Sequence, residues 1–266
     1  MTIKLEAAAT VMLVRDGAAG AGAGVEVFMM GRRGDLEVAP QALVFPGGKV
    51  DEADAAPALI DHVCGAAAWD DEERAFRVAA VRESFEECGL LLARRRGGGD
   101  LLAAAETEDL ARRYLPDGQR SLDLEALVRA EDLELATDLL LPCSRWVTPA
   151  SRPRRFDAVI YLAAAPPGQQ ARHQGGEASR SFWAEPARVL AEVEAGQHHM
   201  LVPTRRSLRF LSRQASVAAA REAAAKIEVK ALSPDLERAD GGFIARLENE
   251  AGDGIEEFFI ADPPIR

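Results

Sequence analysis

Cysteine is scarce in this chain. Cys64, Cys88 and Cys143 are odd in number, widely spaced and without a CxxC pair. That pattern excludes a disulfide framework and a cysteine zinc site, and it points to reduced thiols in the cytoplasm. No apolar run approaches the ~18 residues of a membrane span. Residues 1–6 lack the cationic start and the long apolar stretch of a secretory signal. The terminal Pro264-Ile265-Arg266 is no peroxisomal address. Positive charge is also short, with 32 Lys and Arg against 43 Asp and Glu and a net charge of −11. Sequence-independent binding to nucleic acid or to an anionic membrane needs a cationic face, so both are disfavoured. His173, His198 and His199 have no metal-ligand spacing and read as surface or loop residues.

The rest of the composition is that of a soluble globular protein, 48% hydrophobic and 28% charged. A length of 266 residues suits one large domain carrying insertions. Residues 8–15 and 25–33 read as a hairpin around a glycine-alanine turn, and residues 43–45 as a short strand. A helix is expected over 72–88 and a buried strand over 90–93. Leucines spread over 100–138 imply a two- or three-helix insertion, either a lid over the active site or an element for packing or dimerisation. Further strands are expected at 146–147 and 155–164, and helices at 185–195 and 203–225. Residues 227–230, 242–247 and 254–261 read as a C-terminal β-meander. Domain limits of 1–225 and 226–266 follow.

The densest chemical signal lies in Arg82-Glu83-Ser84-Phe85-Glu86-Glu87-Cys88-Gly89-Leu90. At about 100° per residue, Glu83, Glu86 and Glu87 fall on one face of a helix. Val78, Val81, Phe85 and Cys88 form an apolar stripe on the opposite side. Like charges so close repel, a cost offset if a hard dication sits among them, because Mg²⁺ and Mn²⁺ prefer carboxylate oxygen. Gly89 stands where a left-handed helix stop favours glycine. Alone, three glutamates on a helix are usually a solvated face. Upstream, however, stands Val44-Phe45-Pro46-Gly47-Gly48-Lys49-Val50.

With both segments in place, the sequence resembles the Nudix hydrolase family. The box of that family runs Gly, five residues, Glu, seven residues, then Arg-Glu-apolar-any-Glu-Glu-any-Gly-apolar. Gly48 matches the opening glycine, and residues 82–90 match the closing half, with Ser84 where an aliphatic residue is usual. Asp54 replaces the first glutamate, and 27 residues separate it from Arg82 where the family has seven. The excess, residues 55–72, reads as an insertion before the catalytic helix. An interrupted box of this kind is similar to the branch of coenzyme A diphosphatases. The fuller signature of coenzyme A-cleaving members has an arginine and a glycine where this chain has Glu37 and Gln41.

The resemblance implies an α/β/α sandwich with a mixed sheet, and a metal-dependent enzyme that splits the pyrophosphate of a nucleoside diphosphate linked to another moiety. It assigns Glu83, Glu86, Glu87 and the Gly48 carbonyl to Mg²⁺ or Mn²⁺. Arg82 would orient the helix through an acidic partner, either Asp54 or an acid at the end of the insertion, Glu72 or Glu73. Glu177 is the candidate general base, because it precedes Phe182-Trp183, which the family places after the loop carrying that group. Arg32, Arg33, Arg154 and Arg155 are candidate phosphate clamps, since guanidinium recognises phosphate bidentately. Coenzyme A or an acyl-coenzyme A leads as substrate, ahead of ADP-ribose, NADH and dinucleoside polyphosphates. A non-catalytic Nudix-like nucleotide sensor is the other functional class, but such modules lose box glutamates and all three are present. A small nucleotide is the implied partner, and a homodimer stays open.

Overall fold

A strand buried on both faces loses the polar–apolar alternation and reads as a continuous apolar run. β1 (Leu5–Asp16) is such a strand: Ala9, Val11 and Leu13 enter one core, and Met12 and Val14 enter another. β2 (Val25–Arg32) divides in the same way, with Phe28 and Met30 on the first side and Val27 and Met29 on the second. The computed structural model describes residues 5–17, 24–35, 41–115, 122–174, 178–248 and 254–261. Two cores on opposite faces of one sheet make the expected α/β/α sandwich.

The chain continues through β3 (Ala42–Val44), β4 (Gly47–Lys49), α1 (Asp71–Cys88), β5 (Ala93–Arg95), α2 (Ala104–Tyr114) and α3 (Leu124–Ala130). It then forms β6 (Leu133–Leu135), β7 (Leu141–Val147), β8 (Arg155–Ala164), β9 (Ala178–Ala184), α4 (Pro186–Glu194) and β10 (His199–Met200). Last come α5 (Val202–Ser212), α6 (Val217–Ala224), β11 (Ala231–Leu232), β12 (Asp235–Ala239), β13 (Gly242–Glu248) and β14 (Ile255–Ala261). The mixed main sheet runs β10-β3-β2-β1-β8-β7-β11, with β4 beside β1 and β9 beside β2. β1 and β8 are parallel over ten residue pairs, from Leu5↔Arg155 to Val14↔Ala164.

Helix α1 covers the first face. Val78, Val81, Phe85 and Cys88 are fully buried against Ala9, Val11, Leu13, Phe28 and Tyr161. Asp70 caps it by accepting from the Glu73 amide at 2.8 Å, and Gly89 ends it with φ 71°. Helices α4, α5 and α6 cover the second face through Val189, Leu208, Leu211, Ala220 and Ala224. Ala245, Leu247 and Phe258 of the C-terminal sheet β12-β13-β14 join this second core.

The described residues of the two insertions interlock. Residues 52–68 form three short 3-10 turns, and the second insertion brings β6 alongside β5. The Cys64 amide donates to the Leu135 carbonyl at 3.0 Å, and the Thr137 hydroxyl donates to the Cys64 carbonyl at 2.7 Å. Leu59, Val63, Leu110, Leu122, Leu127 and Leu135 extend the core beneath α1.

Several elements depart from the expectations above. The 203–225 helix is two helices, because Ser216 starts a new N-cap by accepting from the Ala219 amide, and Asp16 accepts from the Val217 amide. Residues 90–92 are buried without joining a ladder, which begins only at Ala93 against Leu135. Residues 227–230 precede the short β11, and the C-terminal sheet starts at β12, where Glu237 and Arg238 hide the strand pattern. β9 was also illegible, since Ser179, Arg180 and Ser181 interrupt its apolar positions. Among the described residues, no helix is long and apolar enough to cross a membrane.

Candidate functional site

The site forms where the β3–β4 connection crosses the second half of α1. Gly47 and Gly48 lie in β4, paired with Thr10 and Ala9 of β1. A Cβ on Gly47 would come within 2.4 Å of the Ala9 carbonyl oxygen. On Gly48 it would lie 2.3 Å from Glu83 Oε1, so the missing side chain is the space that the carboxylate occupies. The Gly47 amide donates to Glu87 Oε2 at 2.7 Å. The glycine pair thus admits one helix carboxylate and holds another.

Arg82 is the hub and is only 5% exposed. Its Nε and Nη2 donate to both oxygens of Asp54, at 2.8 and 2.9 Å, in the bidentate geometry that guanidinium favours. Nη2 also donates to the Lys49 carbonyl at 2.8 Å, while Nη1 reaches Glu83 Oε1 at 2.8 Å and Glu86 Oε2 at 2.7 Å. Burial alone would make Arg82 easier to deprotonate, but the bonds to Asp54 and the charges of Glu83, Asp54 and Glu86 outweigh it and raise its pKa. Of the three acids considered as its partner, Asp54 is the one on it, itself 2% exposed. Glu72 instead meets Arg145 at 2.8 Å, and Glu73 meets Arg77 at 2.7 Å and the Tyr161 hydroxyl at 3.1 Å. The insertion therefore leaves the early acid of the box in contact with the arginine across 28 positions.

Burial pushes the Glu83 carboxyl up to about 7; the charge of Glu86 adds to this, and Arg82 opposes it. Glu86 accepts from Arg82 on one oxygen and from the Leu122 amide on the other, at 2.6 Å. Ser84, at the usual aliphatic position, is fully buried and donates to the Leu90 carbonyl at 2.9 Å. That bond removes the cost of a buried hydroxyl. Burial pushes the Cys88 thiol up to about 12, which leaves it unreactive. All three cysteines are free.

Beyond Gly89 the backbone is tied to the end of α1. The Gln174 amide donates to the Glu87 carbonyl at 2.7 Å, and the Arg172 amide to the Cys88 carbonyl at 3.0 Å. Glu177 lies outside the described residues. Of the described residues on either side, Gln174 is held at the end of α1 and Ala178 of β9 pairs with Arg32 of β2.

The four candidate clamps are dispersed. Arg32 lines a cavity of about 630 Å³ with Gln41, Arg180, His198 and His199. Arg33 is chelated by Asp35 at 3.0 and 2.9 Å. Arg154 approaches Glu6, at 3.6 Å, which also pairs with Lys49 at 2.8 Å. Arg155 donates to the Thr148 carbonyl at 3.0 Å. Two contributors carried no sequence signal, the Leu122 amide and the Lys49 carbonyl, since a backbone group looks the same at every residue.

Among the described residues, no three His, Cys, Asp or Glu side chains stand ready as a metal cluster. Each box carboxylate is turned toward a donor of the protein. The donor set nevertheless fits a hard dication: three carboxylates on one helix face and a cradle at Gly48 free of any Cβ.

No profile of a known protein family matches the sequence. It is 29% identical over 186 residues to a putative nudix hydrolase 7 of Caenorhabditis elegans, covering 70% of this chain and 55% of that protein. It is 31% identical over 152 residues to the acyl-coenzyme A diphosphatase NUDT19 of Gallus gallus, covering 49% and 39%. The chain thus spans about half the length, or less, of these curated relatives. A Nudix hydrolase crystal structure from Alicyclobacillus acidocaldarius is similar with a TM-score of 0.69 and 27% identity, over 86% of this chain and all of that one.

Proposed function

We propose, from the premise that this chain belongs to the Nudix hydrolase family, that it hydrolyses the pyrophosphate of coenzyme A or an acyl-coenzyme A in the cytoplasm. The observation that carries the chemistry is the set Glu83, Glu86 and Glu87 on one face of α1, oriented by Arg82, Gly47 and Leu122. Glu83, Glu86, Glu87 and the Gly48 carbonyl would hold Mg²⁺ or Mn²⁺. Such an ion supplies neutralisation of phosphate oxygens and a bound water of lowered pKa. Arg82, locked by Asp54, keeps the carboxylate face in register with the glycine loop. Glu177 would accept the proton of the attacking water. Arg154, which shares Glu6 with Lys49, would take a phosphate beside the glycine loop, and Arg32 one at its cavity. Arg33 and Arg155 would exchange their present partners for phosphate.

The substrate reading is supported by the interrupted box and by the relative named an acyl-coenzyme A diphosphatase. Gln41 takes φ 60°, the left-handed backbone natural to the glycine that the coenzyme A signature has at this position. Incubation with coenzyme A and Mn²⁺ should release adenosine 3′,5′-bisphosphate and a phosphopantetheine product. If no bisphosphate appears while ADP-ribose or NADH is cleaved, the substrate is wrong and the general chemistry stands.

A further inference from the structure

Each box carboxylate has an orienting donor, and one of these donors comes from a distant part of the chain. Gly47, beside the opening glycine, holds Glu87, and Arg82 holds Glu83. Glu86 is held on Oε2 by Arg82 and on Oε1 by the amide of Leu122, which is 36 residues further on, in the second insertion. That amide is anchored. The Leu122 side chain is buried in the core beneath α1, its carbonyl accepts from the Leu124 amide at 3.0 Å, and Asp123 caps α3 by accepting from Ala126. A hydrogen bond to a carboxylate is roughly twice as strong as a neutral one. Each carboxylate oxygen has two lone pairs, so the one that accepts from Leu122 keeps another for a cation.

We infer that the Leu122 amide is a positioning group for the cation site: it fixes the Glu86 carboxylate, so that docking of the helical insertion and cation binding are thermodynamically linked. The inference rests on Glu86 being a cation ligand, as proposed above. Its consequence is reciprocal, since a cation that favours the held carboxylate must also favour the docked insertion.

The test replaces Leu122 by its α-hydroxy acid, which turns one amide into an ester, deletes the N–H and keeps the side chain, at the cost of a weaker acceptor at the preceding carbonyl. Mn²⁺ binding is measured by calorimetry on this protein and on wild type, each with Glu86 or with Glu86→Gln. Loss of an outer-shell donor of this kind should weaken Mn²⁺ binding about ten-fold or more, and the loss should shrink to less than about two-fold with Glu86→Gln, as coupled residues require. An ester with unchanged Mn²⁺ affinity, or with the same loss in both backgrounds, overturns the inference and leaves the metal reading intact. Wild type that binds no Mn²⁺ overturns both. A second measurement needs no variant: hydrogen exchange at the Leu122 amide should slow along the Mn²⁺ binding curve. Exchange that stays constant through the titration counts against the link even if the ester protein fails to fold.

Discussion

Helix α1 carries two triplets of acids, and they are held in opposite ways. In its first turns each acid meets a different arginine, Asp71 with Arg74, Glu73 with Arg77, and Glu72 with Arg145, which Asp157 also holds. The positive end of the helix dipole favours them further. In the last turns Glu83 and Glu86 share Arg82 with buried Asp54, and Glu87 takes the Gly47 amide. There the dipole opposes negative charge, and burial raises the Glu83 pKa. The first triplet is balanced and ties the helix to the sheet through Arg145 and Tyr161. Among the described residues, the second shares the Arg82 guanidinium between Glu83, Glu86 and Asp54. Both are made of carboxylates, so the contrast lies in what surrounds them.

The comparison breaks most severely at Asp54. Asp54→Ala leaves a buried guanidinium without its bidentate partner, and chemical denaturation should show a loss of about 3–5 kcal/mol. Next comes Glu87→Gln, which should lower kcat by about 10²–10³ under saturating Mg²⁺ with little change in KM, as loss of transition-state charge stabilisation does. Wild-type kcat in this variant would reject the ligand assignment. Gly89→Ala places a side chain at φ 71° and within 2.4 Å of Gln174 Nε2. Thermal melting should report a cost of about 1–2 kcal/mol from the left-handed backbone. The smallest effect belongs to the balanced triplet. Glu72 is 64% exposed at its side chain, so Glu72→Gln should change stability by less than about 1 kcal/mol and leave kcat unaltered. A large loss of turnover there would erase the distinction between the two triplets.

Where local pattern and tertiary packing agree, the elements could be read directly. The apolar stripe of α1 and Gly89 give a helix over 72–88 in the reading and Asp71–Cys88 in the structure. β8 matches its expected limits, because residues 155–164 are rich in residues that suit a buried strand. The break between α5 and α6 was hidden, since good helix formers stand on both sides, leucine and arginine in α5 and alanine in α6, and only Ser216 and the contact from Asp16 interrupt them. β9 and β12 carry too many polar residues to advertise a strand. At the candidate site, the spacing of Glu83, Glu86 and Glu87 was visible, whereas the partner of Arg82 was not. An insertion of unknown path left Asp54, Glu72 and Glu73 equivalent until the fold brought Asp54 to the guanidinium.

The sequence by itself determined the helix that carries the carboxylates, the glycine pair opposite them, and the class of ion the donors suit. These depend on residue type at short spacing, where a 3.6-residue period or a missing Cβ has an immediate geometric meaning. Tertiary structure decided which acid locks Arg82, how the two insertions interlock, and that the Leu122 amide reaches Glu86. Those contacts join positions 28 to 73 residues apart, and the last uses a backbone N–H that every residue except proline possesses. Only the packing of the Leu122 side chain in the core aims that particular N–H at a carboxylate.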